Sequence, residues 1–145
     1  MAEHFLDNYV EGTKGFRAEP WYNAKGDCIE YHTVNEAVVA DRIDEKLTIY
    51  RSVVTDRPIG FKIKDVRAII SKYGYDGLAV SSLEKDKTLI YISVAAIVLA
   101  AYEEGVPSIK RRLGYANALL PQPENRFSIP LNQICQDFNK TSQRL

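Results

Sequence analysis

Cysteine, histidine and methionine are scarce in this 145-residue chain: two Cys, two His and one Met. Cys28 and Cys135 stand far apart, and no Cys-x-x-Cys or His-x-x-x-His spacing occurs, so a zinc site and a disulfide framework are both excluded, while a single long-range bridge stays open. Reduced thiols, and a cytoplasmic location, are the expectation from two isolated cysteines. Charge of one sign is also missing. Nineteen basic residues balance nineteen acidic ones, with a pI near 6.7, which argues against nucleic acid as the dominant partner. No long hydrophobic run is present. The most apolar segment, Leu89 to Tyr102, has 14 residues and as a helix would cover ~21 Å, short of the ~30 Å a spanning helix must cross. The first twenty residues carry acids and no sustained apolar stretch, so they do not read as a secretory signal. Gly-x-Ser-x-Gly, Walker-type, Gly-x-Gly-x-x-Gly and His-Glu-x-x-His motifs are all lacking, and no cofactor or metal is expected.

What is present is ordinary globular composition, 46% hydrophobic and 26% charged, in two textures. Residues 17 to 64 read as strands. Asn23-Ala24-Lys25-Gly26-Asp27 offers a hairpin turn in which Gly26 can take a positive φ. Ile29, Tyr31 and Thr33 then alternate with Cys28, Glu30 and His32, the period of a strand with one apolar and one polar face. Further runs lie at Ala37 to Ile43, Leu47 to Val53 and, after Thr55-Asp56-Arg57-Pro58, Ile59 to Lys64. Four or five such strands make an antiparallel β-meander whose apolar face needs cover.

Residues 65 to 145 read as mainly helical and supply that cover. Val66, Ile69, Ile70 and Tyr73 have helical spacing between Asp65, a candidate N-cap, and Gly74, a candidate C-cap. Leu89 to Tyr102 reads as a buried central helix because Ala95, Ala96, Ala100 and Ala101 are strong helix formers, with Gly105 as its left-handed cap. The alternative makes Leu89-Ile90-Tyr91-Ile92 a strand paired with Leu78-Ala79-Val80. A helix from Pro107 or Ser108 places Ile109, Leu113, Ala116 and Leu120 on one stripe and ends at Pro121-Gln122-Pro123. A last helix from about Ser128 carries Leu131, Ile134, Cys135 and Phe138 on its apolar side. The fold class is therefore α+β, a single domain over residues 1–145.

Tyr22-Asn23-x-x-Gly26-Asp27-x-Ile29-x-Tyr31, Val39 to Asp44, Leu47-Thr48-Ile49-Tyr50 and Ile59-Gly60-Phe61-x-Ile63-x-Asp65-Val66 together resemble a small bacterial β-meander domain family of unknown function. That family carries aspartate where this chain has Asn23. The resemblance covers about a third of the chain and implies a curved antiparallel sheet followed by a helix. It also implies an intracellular binding or antitoxin-type partner rather than an enzyme.

Three surfaces are candidates for function. Asp27, Glu30 and His32, with Arg42, Asp44 and Arg51 on neighbouring strands, would suit a hydrolase-like enzyme in which a carboxylate orients His32 as a general base. The plainer reading is a solvated face of cross-strand ion pairs. Lys110-Arg111-Arg112 would suit weak nucleic-acid binding. The segment Ser108 to Ala116 is distantly similar to the recognition helix of winged-helix DNA-translocase domains, but two residues are missing before Gly114-Tyr115, which turns the tyrosine by about 200°. Trp21, Tyr22, Tyr31 and Tyr50, with Arg42 and Arg51, would suit a small ligand or a partner, because aromatic and arginine side chains anchor interfaces. The favoured expectation is a protein-interaction or regulatory module that acts as a homo-oligomer, through the sheet edge or the polar face, or as half of a protein pair.

Overall fold

The computed structural model describes residues 16–80, 90–120 and 127–135. Leu89, Pro121-Gln122-Pro123 and Phe138 lie outside them. The fold is α+β, with a five-stranded antiparallel sheet as its framework. Strands β1 (Trp21–Asn23), β2 (Cys28–His32), β3 (Val38–Arg42), β4 (Leu47–Ser52) and β5 (Pro58–Lys64) lie in the order β1-β2-β5-β4-β3. β3, β4 and β5 run as a meander, and the β1–β2 hairpin adds to it across β5. Val53, 58% exposed, falls beyond the end of β4.

Strand alternation produces the two faces. Ile29 opposes Ile63, Tyr31 opposes Phe61 and Leu47 opposes Ile63, and all are buried on one side. Helices cover that side: α1 (Val66–Tyr73), the single turn α2 (Tyr75–Leu78), α3 (Val94–Glu103) and α4 (Ile109–Leu119). α3 lies between α1 and α4, and α4 rests on β4 and β5. Ile97 and Val98 of α3 are fully buried in the same core as Phe61 and Ile49. A last turn, α5 (Leu131–Ile134), adds Leu131 and Ile134.

The apolar run divides differently from the favoured expectation. Tyr91–Ser93 is a strand, β7, between β6 (Ala79–Val80) and β8 (Ser128–Pro130) in a second, three-stranded sheet. Ile92 opposes Ala79 on one side and Ile129 on the other, so its backbone is paired twice and its side chain has no exposure. Helix α3 starts only at Ser93, whose Oγ accepts from the Ala96 N–H at 3.1 Å. The β-branched residues before that cap thus follow the alternative reading. Ser128 likewise opens a strand, and the last helix begins at Leu131.

Capping also differs. Gly26 has no positive φ, and Asp27 takes that conformation instead, with φ 50°. From there its carboxylate reaches 40 residues along the chain and accepts from the Arg67 N–H of α1 at 3.1 Å. Asp65 has φ 59° and makes no side-chain cap. Gly74, φ 78°, does close α1, where aspartate or a β-branched residue would be strained. Gly105 is not left-handed; its lack of a side chain serves Arg111, described next.

Candidate functional site on the open sheet face

Two of the three candidate surfaces are altered by the structure. Arg111 is only 7% exposed and points inward. Its Nε donates to Asp44 at 2.9 Å, Nη1 to the Val106 carbonyl at 3.0 Å, and Nη2 to the Tyr102 carbonyl at 2.8 Å. The guanidinium lies 5.0 Å from the Tyr102 ring and 5.1 Å from the Tyr115 ring, so it is held between aromatic faces at the C-terminus of α3. Burial would raise the Asp44 carboxyl, but Arg111, the Leu47 and Lys46 N–H groups and the Tyr115 hydroxyl together hold it below its usual range. A side chain at residue 105 would sit 2.3 Å from this guanidinium. Arg111 is therefore a structural joint, and the Lys110-Arg111-Arg112 run presents only Lys110 and Arg112 outward.

The same inward turn reverses α4. Its buried residues are Arg111, Gly114, Tyr115 and Ala118. Ile109, Leu113 and Leu120, expected in the core, are 70%, 60% and 78% exposed. A Cβ at residue 114 would lie 2.6 Å from Ile43, so the helix approaches the sheet on its glycine side.

The aromatic candidates separate by face. Tyr31 is buried against Phe61 and Phe127, and Tyr22, opposite Ile29, donates its hydroxyl to Asp27 at 2.6 Å. Neither is available on the open face, as the alternation of β1 and β2 requires. Arg51 pairs with Asp41 at 3.1 Å, and Asp41 opposes Ile49 on the helix side. Asp27 and Asp44 are engaged by α1 and by Arg111, so neither joins His32.

What remains on the open face is a compact group. One row crosses all five strands, Trp21, Glu30, Lys62, Thr48 and Arg42. The next contains His32, Gly60, Tyr50 and Ala40. Because Gly60 has no side chain, His32 and Tyr50 meet above it, stacked at 4.6 Å with 11° between their planes. A Cβ at residue 60 would also fall 2.2 Å from the Tyr31 carbonyl, so glycine is required for the β2–β5 approach. Glu30 gathers the donors: Tyr50 at 3.0 Å, Asn23 at 3.4 Å and the Cys28 thiol at 4.0 Å. Burial, then Glu30, raises the Tyr50 hydroxyl and the Cys28 thiol, which stay protonated at neutral pH. Burial lowers His32 against the opposing pull of Glu30. The face thus presents the His32 imidazole, a protonated thiol and a carboxylate already engaged by donors. Trp21, 51% exposed, stands at its margin, next to a cleft of about 460 Å³ lined also by Phe16, Arg17 and Gln133.

Gly60 and the register of Gly60 with both His32 and Tyr50 were the signals that sequence reading missed; a glycine within an alternating strand marks close approach or a gap that neighbours fill. Among the described residues no cluster of His, Cys, Asp and Glu could hold a metal ion, and Cys28 and Cys135 are unbridged. No helix among them is long and apolar enough to cross a membrane. Compared with protein-family models, curated proteins and solved structures, the chain matches none.

Proposed function

We propose that this protein is a binding module, one half of a protein pair, whose partner seats on the open sheet face. The observation that supports it is that, among the described residues, helices cover the sheet on one side. α1, α3 and α4 pack on one face, while the other presents the Glu30–Tyr50–His32 group at half-burial. Among the described strand residues of that face, Arg42, Lys62 and Lys64 outnumber the acid Glu30, which favours a partner with acidic side chains around a central hydrogen-bond donor or acceptor. The likeness to the bacterial β-meander family, with its antitoxin-type role and cytoplasmic setting, belongs to this proposal.

The test is site-specific photocrosslinking in the native host, with a photoreactive phenylalanine at Thr48 on the open face or at Ala68 on the exposed side of α1. A discrete adduct from Thr48, absent from Ala68 and weakened by Tyr50→Ala, is expected. Identical patterns from the two positions would remove the reading. In the hydrolase-like alternative a flanking carboxylate orients His32; Asp27 is committed to Tyr22 and α1, which leaves Glu30 as the acid for that role.

A further inference from the structure

The stripe Ile109, Leu113, Ala116 and Leu120 is the largest apolar feature on α4, and the fold turns it to solvent. At ~100° per residue these four side chains fall within about 60° of one another, on the side of the helix opposite Arg111, Gly114, Tyr115 and Ala118. Packing on the sheet therefore cannot use both faces. Val106, 78% exposed, extends the apolar surface before the helix begins.

We infer that this stripe is the contact of a homodimer, in which α4 packs antiparallel against α4 of a second copy. Two features select that occupant. First, the spacing of the stripe is four, three, four, and so reads the same in both directions. A two-fold axis through its midpoint sets Ile109 against Leu120 of the second copy, and Leu113 against Ala116 of the second copy. A large side chain meets a small one at the centre, the self-complementarity that an isologous contact requires. Second, the charges of α4 are suited to an antiparallel neighbour. Lys110 and Arg112 flank the stripe on either side at the N-terminal end, where no acid accompanies them, and no base lies in the last turn. Alone, these cations oppose the helix dipole; beside an antiparallel copy they lie near the carbonyls that end its α4. A parallel pair would instead bring four cations together.

One helix pair is smaller than the ~800 Å² per partner of a standard interface, so the dimer is reversible and concentration-dependent. The inference is independent of the open sheet face, which stays free on both copies; a failure of one leaves the other standing.

Sedimentation velocity on the full chain from about 5 to 200 µM tests it. The wild type is expected to shift from 16.4 kDa toward twice that mass. Leu113→Glu, at an exposed position and so expected to leave the melting temperature of the dilute monomer unchanged, is expected to weaken the dimer at least tenfold, and Tyr50→Ala to leave it as it is. Orientation is read with Cys135 replaced by Ser: Ile109→Cys mixed with Leu120→Cys gives a disulfide heterodimer, and Leu120→Cys alone gives little. A monomer throughout the range, a dimer indifferent to Leu113→Glu, a dimer lost with Tyr50→Ala, or efficient Leu120→Cys self-crosslinking would each overturn it.

Discussion

Replacing Arg111 with alanine is the most severe test of how this fold is held together. The substitution removes three well-formed N–H donors: Nε to Asp44 at 2.9 Å, Nη1 to Val106 at 3.0 Å and Nη2 to Tyr102 at 2.8 Å. It leaves Asp44 with two backbone N–H groups and the Tyr115 hydroxyl, so the carboxylate keeps some compensation. The bond between charged groups is worth roughly 1.5–3 kcal/mol, and each carbonyl left without a donor costs about 1–3 kcal/mol where water cannot replace it. Val106 is exposed, so its carbonyl rehydrates; Tyr102 is half-buried and rehydrates less. The sum, with the space opened between Tyr102 and Tyr115, comes to about 3–5 kcal/mol, the range for breaking a buried pair from one side. Against a total stability of ~5–15 kcal/mol this is a large fraction. Urea unfolding followed by circular dichroism would measure it, with Lys110→Ala as the exposed control, expected within about 0.5 kcal/mol of wild type. Arg111→Lys should fall between, since one ammonium cannot serve Asp44 and two carbonyls in the geometry of the planar fork. If Arg111→Ala cost no more than Lys110→Ala, the joint described between α3, α4 and the β3–β4 turn would be wrong.

Other perturbations reach other parts of the fold. Gly60→Ala places a Cβ 2.2 Å from the Tyr31 carbonyl, where neither backbone has room to move, and should cost at least about 2–3 kcal/mol in thermal or urea unfolding. Asp27→Ala removes the cap of α1 and the acceptor of the Tyr22 hydroxyl and should cost ~1–2 kcal/mol, whereas Asp65→Gly, which relieves a left-handed aspartate, should stay within about 1 kcal/mol of wild type; equal losses would restore Asp65 as the cap. Stability should fall on both sides of neutrality for different reasons. Asp44 titrates below its ordinary 3.8 in the folded protein, so its contribution is complete above that value and disappears as pH drops through the lower folded one; Asp44→Asn should flatten this acid limb. Burial, then Asp44, raises the Tyr115 hydroxyl above its ordinary 10.0, so that contribution is complete below 10.0 and disappears as pH climbs; Tyr115→Phe should flatten part of the alkaline limb, to which Tyr22, Tyr31, Tyr50, Cys28 and Cys135 also contribute.

Period-two alternation from Cys28 to Lys64 was enough to assign the sheet strands and to separate Ile29 and Tyr31 from Glu30 and His32, because a strand cannot place neighbours on one face. Helical spacing at Val66, Ile69 and Ile70 was as direct. The open-face group was half legible: Glu30 and His32 stood out by type and alternation, but Tyr50 joins them only through the register that sets both rings over Gly60. No local rule states which strands are neighbours.

Where two local solutions were close in free energy, tertiary contacts chose. Tyr91–Ser93 is a strand because Ala79–Val80 and Ser128–Pro130 pair with both its edges. Helix α4 had two faces to offer, the aliphatic Ile109, Leu113, Ala116 and Leu120 or the mixed Arg111, Gly114, Tyr115 and Ala118, and by hydrophobicity alone the first belongs inside. The sheet takes the second because Gly114 lets the helix approach Ile43, and because Arg111 finds Asp44 and the end of α3 at once. Sequence alone determined that α4 would be a helix with an apolar stripe. Which way that stripe faces depended on groups 67 and 71 residues apart, Arg111 and Tyr115 with Asp44, whose meeting only the folded chain brings about.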